Sequence, residues 1–447
     1  MGAPASALDA TIDTSEKIAQ TITNQKPLKQ ASSYWKTLGP GLTTGAADDD
    51  PSGVVVYSQT GAQYGFQLLW LAGFTFPLMA IVQEMCARIG LVTGRGLAGN
   101  IRQFFPRWVL YVCTILLFLA NTLNLGADLG AMAKATQLLT PTTDFSFLVV
   151  FFALLSLALQ IFTTYDKYAK YLKWLALLLI AYIFSAVSVK LDWQSLVWSA
   201  VMPSLNFSKD QILLITAILG TTISPYLFFW QTSQEVEEQI LEGKTSLKLR
   251  REETAPEEVK NMRVDVWSGM FLSNLVMFFI IAASAVTLFA VGKTNITTAA
   301  EAAEALRPLA GENAFLLFAL GIIGTGLLAV PVLAGSASYA ISESFNWKHG
   351  LYRNLKQANA FYGVIILSTL IGLAINFSGF NPIKILIYSA VANGLIAPVV
   401  LALIVLISSN KKVMGEWVNN RFVTLLGWLI TLIMVVAGLA TIYSLFT

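Results

Sequence analysis

The chain has 447 residues, 55% of them hydrophobic and only 12% charged, where a soluble domain carries about 25% charged residues. That balance excludes a soluble multidomain protein, and recurring apolar stretches beyond about 18 residues mark a polytopic membrane protein in a lipid bilayer. The net charge of +3 decides little by itself, and no nucleic-acid partner is expected.

Residues 1–35 are polar, rich in Thr, Ser, Gln and Lys, and lack an apolar run. They read as a mobile cytoplasmic tail and not as a signal peptide. Residues 36–447 read as a single transport domain of about eleven spans. The first, 37–62, is broken, and 66–92, 108–133, 144–164 and 171–189 follow. The sixth, 211–234, is also broken, and 264–291, 313–342, 358–377, 383–408 and 422–445 complete the series. The connection 235–263 is charged and reads as a solvated loop holding a short amphipathic helix. The two cysteines, Cys86 and Cys113, fall inside spans and form no metal-ligand spacing. With the N-terminus inside, 23 of the 29 Lys and Arg residues lie in or near cytoplasmic segments. That asymmetry places the C-terminus outside.

Ala47-Asp48-Asp49-Asp50-Pro51-Ser52-Gly53 interrupts the first span, and Gly220-Thr221-Thr222-Ile223-Ser224-Pro225-Tyr226 interrupts the sixth. Ionisable groups inside a span are costly and mark function by default. Interrupted spans at matching positions point to the binding site of an inverted-repeat carrier. The expected fold is therefore all-α, with two inverted five-helix repeats (36–190 and 211–408), an extra helix at 422–445, and a LeuT/APC-like arrangement. Carboxylates beside freed carbonyls suit a hard divalent cation.

Specific runs carry a resemblance. Gly39-Pro40-Gly41, Asp50-Pro51-Ser52-Gly53 and Gln59-Thr60-Gly61-Ala62-Gln63-Tyr64-Gly65-Phe66 resemble the first span of the Nramp family of divalent-metal transporters. Gln83-Glu84-Met85-Cys86, Ala127-Asp128-Leu129, Ser224-Pro225 and Leu333-Ala334-Gly335 extend it. The resemblance implies a cation carrier working by alternating access, with Asp50 as principal ligand.

The departures from the family are chemical. The family's first-span Asn is Gly53 here. Its sixth-span Met-Pro-His-Asn is Ser224-Pro225-Tyr226-Leu227, and a further His is Gln231. Losing the thioether hardens the site, because sulfur favours softer transition metals. Gly53 and Ser224 also remove bulk, so a cavity wide enough for a partly hydrated ion is expected. Mg²⁺ dehydrates reluctantly, and the pattern resembles the magnesium-transporting branch of the family. Asp128 matches a family acid, but a Glu three positions later is Ala131, and the one histidine, His349, falls in a loop. Transport without proton coupling is expected, since a proton wire needs titratable groups in reach.

The expected ligands are Asp50, the carbonyls near Gly53 and Thr221, and Ser224. Asp48 and Asp49 either attract the ion and hold its waters, or line a solvated vestibule. Thr222, Tyr226, Gln231, Gln59, Asp128 and Asn393 are expected along the pathway, with packing as the alternative for several. No cofactor is expected beyond the transported Mg²⁺ or Mn²⁺, and the carrier is expected to be a monomer in a bacterial plasma membrane. The rival carrier is a proton-coupled Mn²⁺ or Fe²⁺ transporter. No HExxH or Walker motif is present, so an enzyme is not expected.

Overall fold

A computed structural model of the chain describes residues 34–35, 37–163, 165–175, 183, 192–206, 208–252, 254–296, 298–304 and 314–446. Most of the expected tail and most of the span expected at 171–189 lie outside the described residues. The described elements are helical, without a strand among them.

The first span is two half-helices, α1 (Pro40–Asp48) and α2 (Pro51–Tyr64). α3 (Trp70–Thr93) and the short α4 (Leu97–Phe104) lead to α5 (Arg107–Leu139) and α6 (Phe145–Phe162). α7 (Tyr165–Leu175) and α8 (Trp193–Val201) follow. The sixth span is again two pieces, α9 (Lys209–Thr222) and α10 (Pro225–Leu241). After α11 (Leu247–Glu252) come α12 (Pro256–Thr287), α13 (Ala299–Glu304) and α14 (Ala314–Phe345). The chain finishes with α15 (Asn359–Ile375), α16 (Pro382–Ser408), α17 (Lys411–Met414) and α18 (Arg421–Phe446). Eight of the described helices, α9 and α10 counted together, are long and apolar enough to cross a membrane.

Both breaks have the same local cause. A proline disfavours the helical region for the residue before it and supplies no N–H. Asp50 is accordingly extended (φ −63°, ψ 171°) before Pro51, and Ser224 is extended (φ −86°, ψ 132°) before Pro225. In each case the proline then opens the next half-helix, where its missing N–H costs nothing.

α12 packs along α1, α2 and α3, while α14 lies against α5 and α16 lies against α9 and α5. Glycines permit the closest crossings. A Cβ on Gly41 would stand 2.5 Å from the Val266 nitrogen, and one on Gly45 would stand 2.3 Å from the Gly269 oxygen. On the other break, a Cβ on Gly220 would stand 2.0 Å from the Ala390 oxygen. Backbone touches backbone at both crossings, as small residues allow between membrane helices.

The expected solvated loop at 235–263 is shorter than its charges suggest. α10 continues to Leu241 and α12 starts at Pro256, so Glu235 and Glu237 are buried helix residues. Both carboxylates are held by hydrogen bonds. Glu235 accepts from Gln231 Nε2 at 2.8 Å. Glu237 accepts from Tyr339 Oη at 2.5 Å and from the backbone N–H groups of Leu351 and Tyr352 at 2.8 and 3.1 Å. His349 does sit in the α14–α15 connection, but it is not simply solvated. Its Nδ1 lies 2.8 Å from the Trp347 oxygen and its Nε2 lies 3.6 Å from Glu343 Oε1.

Candidate functional site: a cluster of buried carboxylates between two broken helices

Asp48, Asp49, Asp50 and Asp128 are all 0% exposed. Asp50 is the best supported of them. Its Oδ1 accepts from Ser52 Oγ at 2.5 Å and Gly53 N at 2.7 Å, and its Oδ2 accepts from Asn124 Nδ2 at 2.9 Å. Asn124 is held in turn by Ser389, whose Oγ donates to Asn124 Oδ1 at 2.8 Å. Asp48 Oδ2 accepts from Ser273 Oγ at 2.6 Å, while its Oδ1 has no hydrogen-bond partner. Neither oxygen of Asp49 or of Asp128 makes a well-formed hydrogen bond. Among the described residues, none of the four acids forms an ion pair. Four buried carboxylates without a counter-charge are far too costly to persist alone, so a cation or protons must answer them.

The facing half-helices join across the breaks. Tyr226 Oη donates to the Ala47 oxygen at 2.9 Å, and Thr221 Oγ1 donates to the Asp48 oxygen at 3.5 Å. Thr222 Oγ1 lies 3.5 Å from Tyr57 Oη. These contacts occupy carbonyls freed at the end of α1. The Ser224 hydroxyl turns back on its own helix, 2.5 Å from the Gly220 oxygen and 2.8 Å from the Thr221 oxygen. It caps the end of α9, and the Thr221 carbonyl keeps a second lone pair for other partners.

Gly53 has a different place from the one expected. It lies in the first turn of α2, so its carbonyl runs along the helix and does not open into the break. Its small size is used for close approach. A Cβ there would stand 2.9 Å from the Asp48 oxygen and 3.2 Å from Thr221 Oγ1. The bulk that a larger residue would supply is therefore replaced by the two half-helices drawing together, and not by an open cavity.

The remaining expected residues divide by depth. Gln59 secures the far end of α2: its Nε2 donates to the Thr294 oxygen at 2.9 Å and its Oε1 accepts from Ile296 N at 2.7 Å. Gln231 points to Glu235, away from the breaks, and its Oε1 has no partner. Asn393 is buried in α16 with its Oδ1 unpartnered. Asn124, Ser389 and Ser273 were not foreseen. A lone amide or hydroxyl in an apolar span carries no local signal of what it will face.

Asp265, also not foreseen, holds α1 from α12. Its Oδ1 accepts from Gly39 N at 2.8 Å and Leu42 N at 3.0 Å, and its Oδ2 accepts from Gly41 N at 2.6 Å. α1 has no side-chain cap of its own, and a carboxylate at a helix N-terminus also answers the helix dipole.

The chain is similar to proteins named divalent metal cation transporter MntH. The one from Pectobacterium carotovorum is 28% identical over 408 residues, covering 89% of this chain and 92% of that protein. The one from Deinococcus radiodurans is 27% identical over 410 residues, covering 89% and 87%. Among solved structures, a manganese transporter from Eremococcus coleocola superposes with a TM-score of 0.73 at 18% identity, covering 92% of this chain and 87% of that one. MhsT in complex with L-phenylalanine superposes at 0.57 with 13% identity, covering 91% and 98%. These likenesses place the fold among broken-helix transporters with two inverted repeats. A family model described as "Natural resistance-associated macrophage protein-like" matches residues 41–444, so the chain belongs to the Nramp family.

Proposed function

We propose that this chain carries Mg²⁺, and also Mn²⁺, across the membrane by alternating access and without moving protons. The observation that carries the reading is the group of four buried carboxylates with no ion pair to a positive side chain among the described residues. A divalent cation is the natural complement. The donors at the breaks are carboxylate, hydroxyl and carbonyl oxygens, which suit Mg²⁺ and Mn²⁺ better than softer ions. Asp50 is the principal ligand, held in place by Ser52, Gly53 and Asn124. Asp48 and Asp49 add charge, and the Thr221 carbonyl faces the ion from the other broken helix. The N-terminus and the α10–α12 connection lie on the cytoplasmic side, in keeping with the placement of the basic residues. The inside-negative potential contributes about 4.6 kcal/mol per 100 mV to entry of a divalent ion. The carrier is read as a monomer.

A second reading is a proton-coupled Mn²⁺ carrier. Asp128 favours it: a buried carboxylate with neither oxygen well hydrogen-bonded is a ready proton acceptor. The names of the relatives, divalent metal cation transporter and manganese transporter, favour it too.

Flux into liposomes holding only the purified protein separates the two. The expected result is Mg²⁺ and Mn²⁺ uptake that does not acidify the lumen, varies little from mildly acidic to neutral pH, and is lost in Asp50→Ala. Lumen acidification in step with uptake sinks the uncoupled reading. Undiminished flux in Asp50→Ala sinks the site.

A further inference from the structure

Below its break, α10 carries a row of polar side chains. Gln231, Glu235, Glu238 and Glu242 recur at spacings of four, three and four residues, which aligns them on one face of a helix. The row runs from beneath the central acids to a cavity of about 390 Å³ at the end of α10. Among the described residues, Glu235, Glu238, Glu242, Glu258 and Asp265 line this cavity with one lysine, Lys170. Asp265 is committed to α1, and Glu258 holds Lys244 at 2.5 Å. Burial, and then the nearby charge of Glu258, push the Glu242 carboxyl above its ordinary range. Among the described residues, the acids lining the cavity outnumber the basic side chains.

A second observation concerns hydrogen bonding. Gln239 also lines the cavity and is 1% exposed. Its Nε2 donates to the Leu91 oxygen at 2.9 Å, but its Oε1 has no hydrogen-bond partner. The Oε1 of Gln231, at the top of the row, is orphaned in the same way. A buried acceptor left unpaired is costly. The water shell of a cation in the cavity supplies a donor for the Gln239 oxygen, and its charge answers the carboxylates. Among the described residues, no group of three or more His, Cys, Asp or Glu side chains is placed to hold a metal ion directly. An ion reached through its waters needs no such group.

We propose that this vestibule is a second cation site, a low-affinity station for a hydrated divalent ion between Asp50 and the cytosol. Glu235, Glu242 and the Gln239 carbonyl oxygen are its main contacts. The proposal rests on reading the chain as a divalent-cation carrier, but it is tested separately from Asp50.

The test is a titration of the purified full-length protein with Mn²⁺ alone, in which the resonance of free Mn²⁺ reports the bound fraction. Asp50→Ala removes the central site and is expected to keep one weakly bound Mn²⁺ per chain. Adding Glu235→Gln and Glu242→Gln to Asp50→Ala is expected to weaken that binding at least tenfold. Should that variant fold poorly by its melting profile, Gln239→Met in the Asp50→Ala background takes its place. It removes the orphaned oxygen together with the Nε2 bond to the Leu91 oxygen and is expected to weaken binding several-fold. The proposal is overturned if Asp50→Ala binds no Mn²⁺, or if whichever vestibule variant folds leaves its binding unchanged. Flux measured on the same Asp50→Ala protein judges the transport reading by itself: retained flux refutes that reading and leaves the binding result to judge the vestibule.

Discussion

Replacing Asp265 by alanine removes the N-terminal hold on α1. Three backbone N–H groups lose a charged acceptor, at 2.6, 2.8 and 3.0 Å. A hydrogen bond to a charged group contributes about 1.5–3 kcal/mol when buried. Gly39 and Pro40 border the vestibule, so water recovers part of that loss. Taking about 1 kcal/mol per bond gives a loss of about 3 kcal/mol, somewhat above a typical N-cap substitution of about 0.5–2 kcal/mol. That corresponds to roughly a hundredfold shift toward the unravelled half-helix. Hydrogen exchange of peptides covering residues 37–48 reads this directly. Protection there is expected to fall by about two orders of magnitude, while α5 and α14 keep theirs. Asp265→Asn retains one acceptor oxygen and is expected to fall between the two. Exchange in Asp265→Ala within threefold of wild type would refute the argument that α1 depends on α12 for its cap.

Other outcomes follow from the same contacts. Asn124→Ala frees one oxygen of Asp50 and is expected to weaken Mg²⁺ uptake about tenfold in apparent affinity, equivalent to about 1.4 kcal/mol; unaltered concentration dependence would exclude Asn124 from the site. Gly45→Val forces a side chain into the Gly269 backbone and is expected to lower stability by at least about 1–3 kcal/mol, seen as a reduced melting temperature in detergent. Gln59→Ala removes the bonds to Thr294 and Ile296, so exchange in the segment 292–296 is expected to quicken while the Asp50 region is unaffected.

The two breaks were legible because Asp50-Pro51 and Ser224-Pro225 announce themselves in apolar spans and have a local cause. The limits of most described spans were legible for the same reason, since hydropathy is a property of short windows. The ends of α10 and α12 were not, because Glu235 and Glu237 look like loop residues until their partners are known. Glu235 has Gln231 one turn earlier, but the partners of Glu237, namely Tyr339, Leu351 and Tyr352, are more than a hundred positions away. The geometry around the expected site residues was legible in part. Asp50 could be singled out by its neighbours in sequence, whereas the inward turn of Ser224 and the crowding around Gly53 depend on how two half-helices meet. Asn124 and Asp265 illustrate the general limit: a side chain that serves a distant backbone or carboxylate leaves no spacing to read.

The glycine crossing between α1 and α12 makes one joint that must travel as a unit. With Gly41 and Gly45 flush against the α12 backbone, and Asp265 binding the same two elements, α1 has no seam along which to slide. It moves only as cargo on α12. The end of α10 is attached otherwise, through side-chain hydrogen bonds: Glu237 reaches Tyr339 and the α14–α15 connection, and Gln239 reaches the Leu91 oxygen of α3. α1 is thus riveted by backbone contact, and the end of α10 is tied by polar bonds.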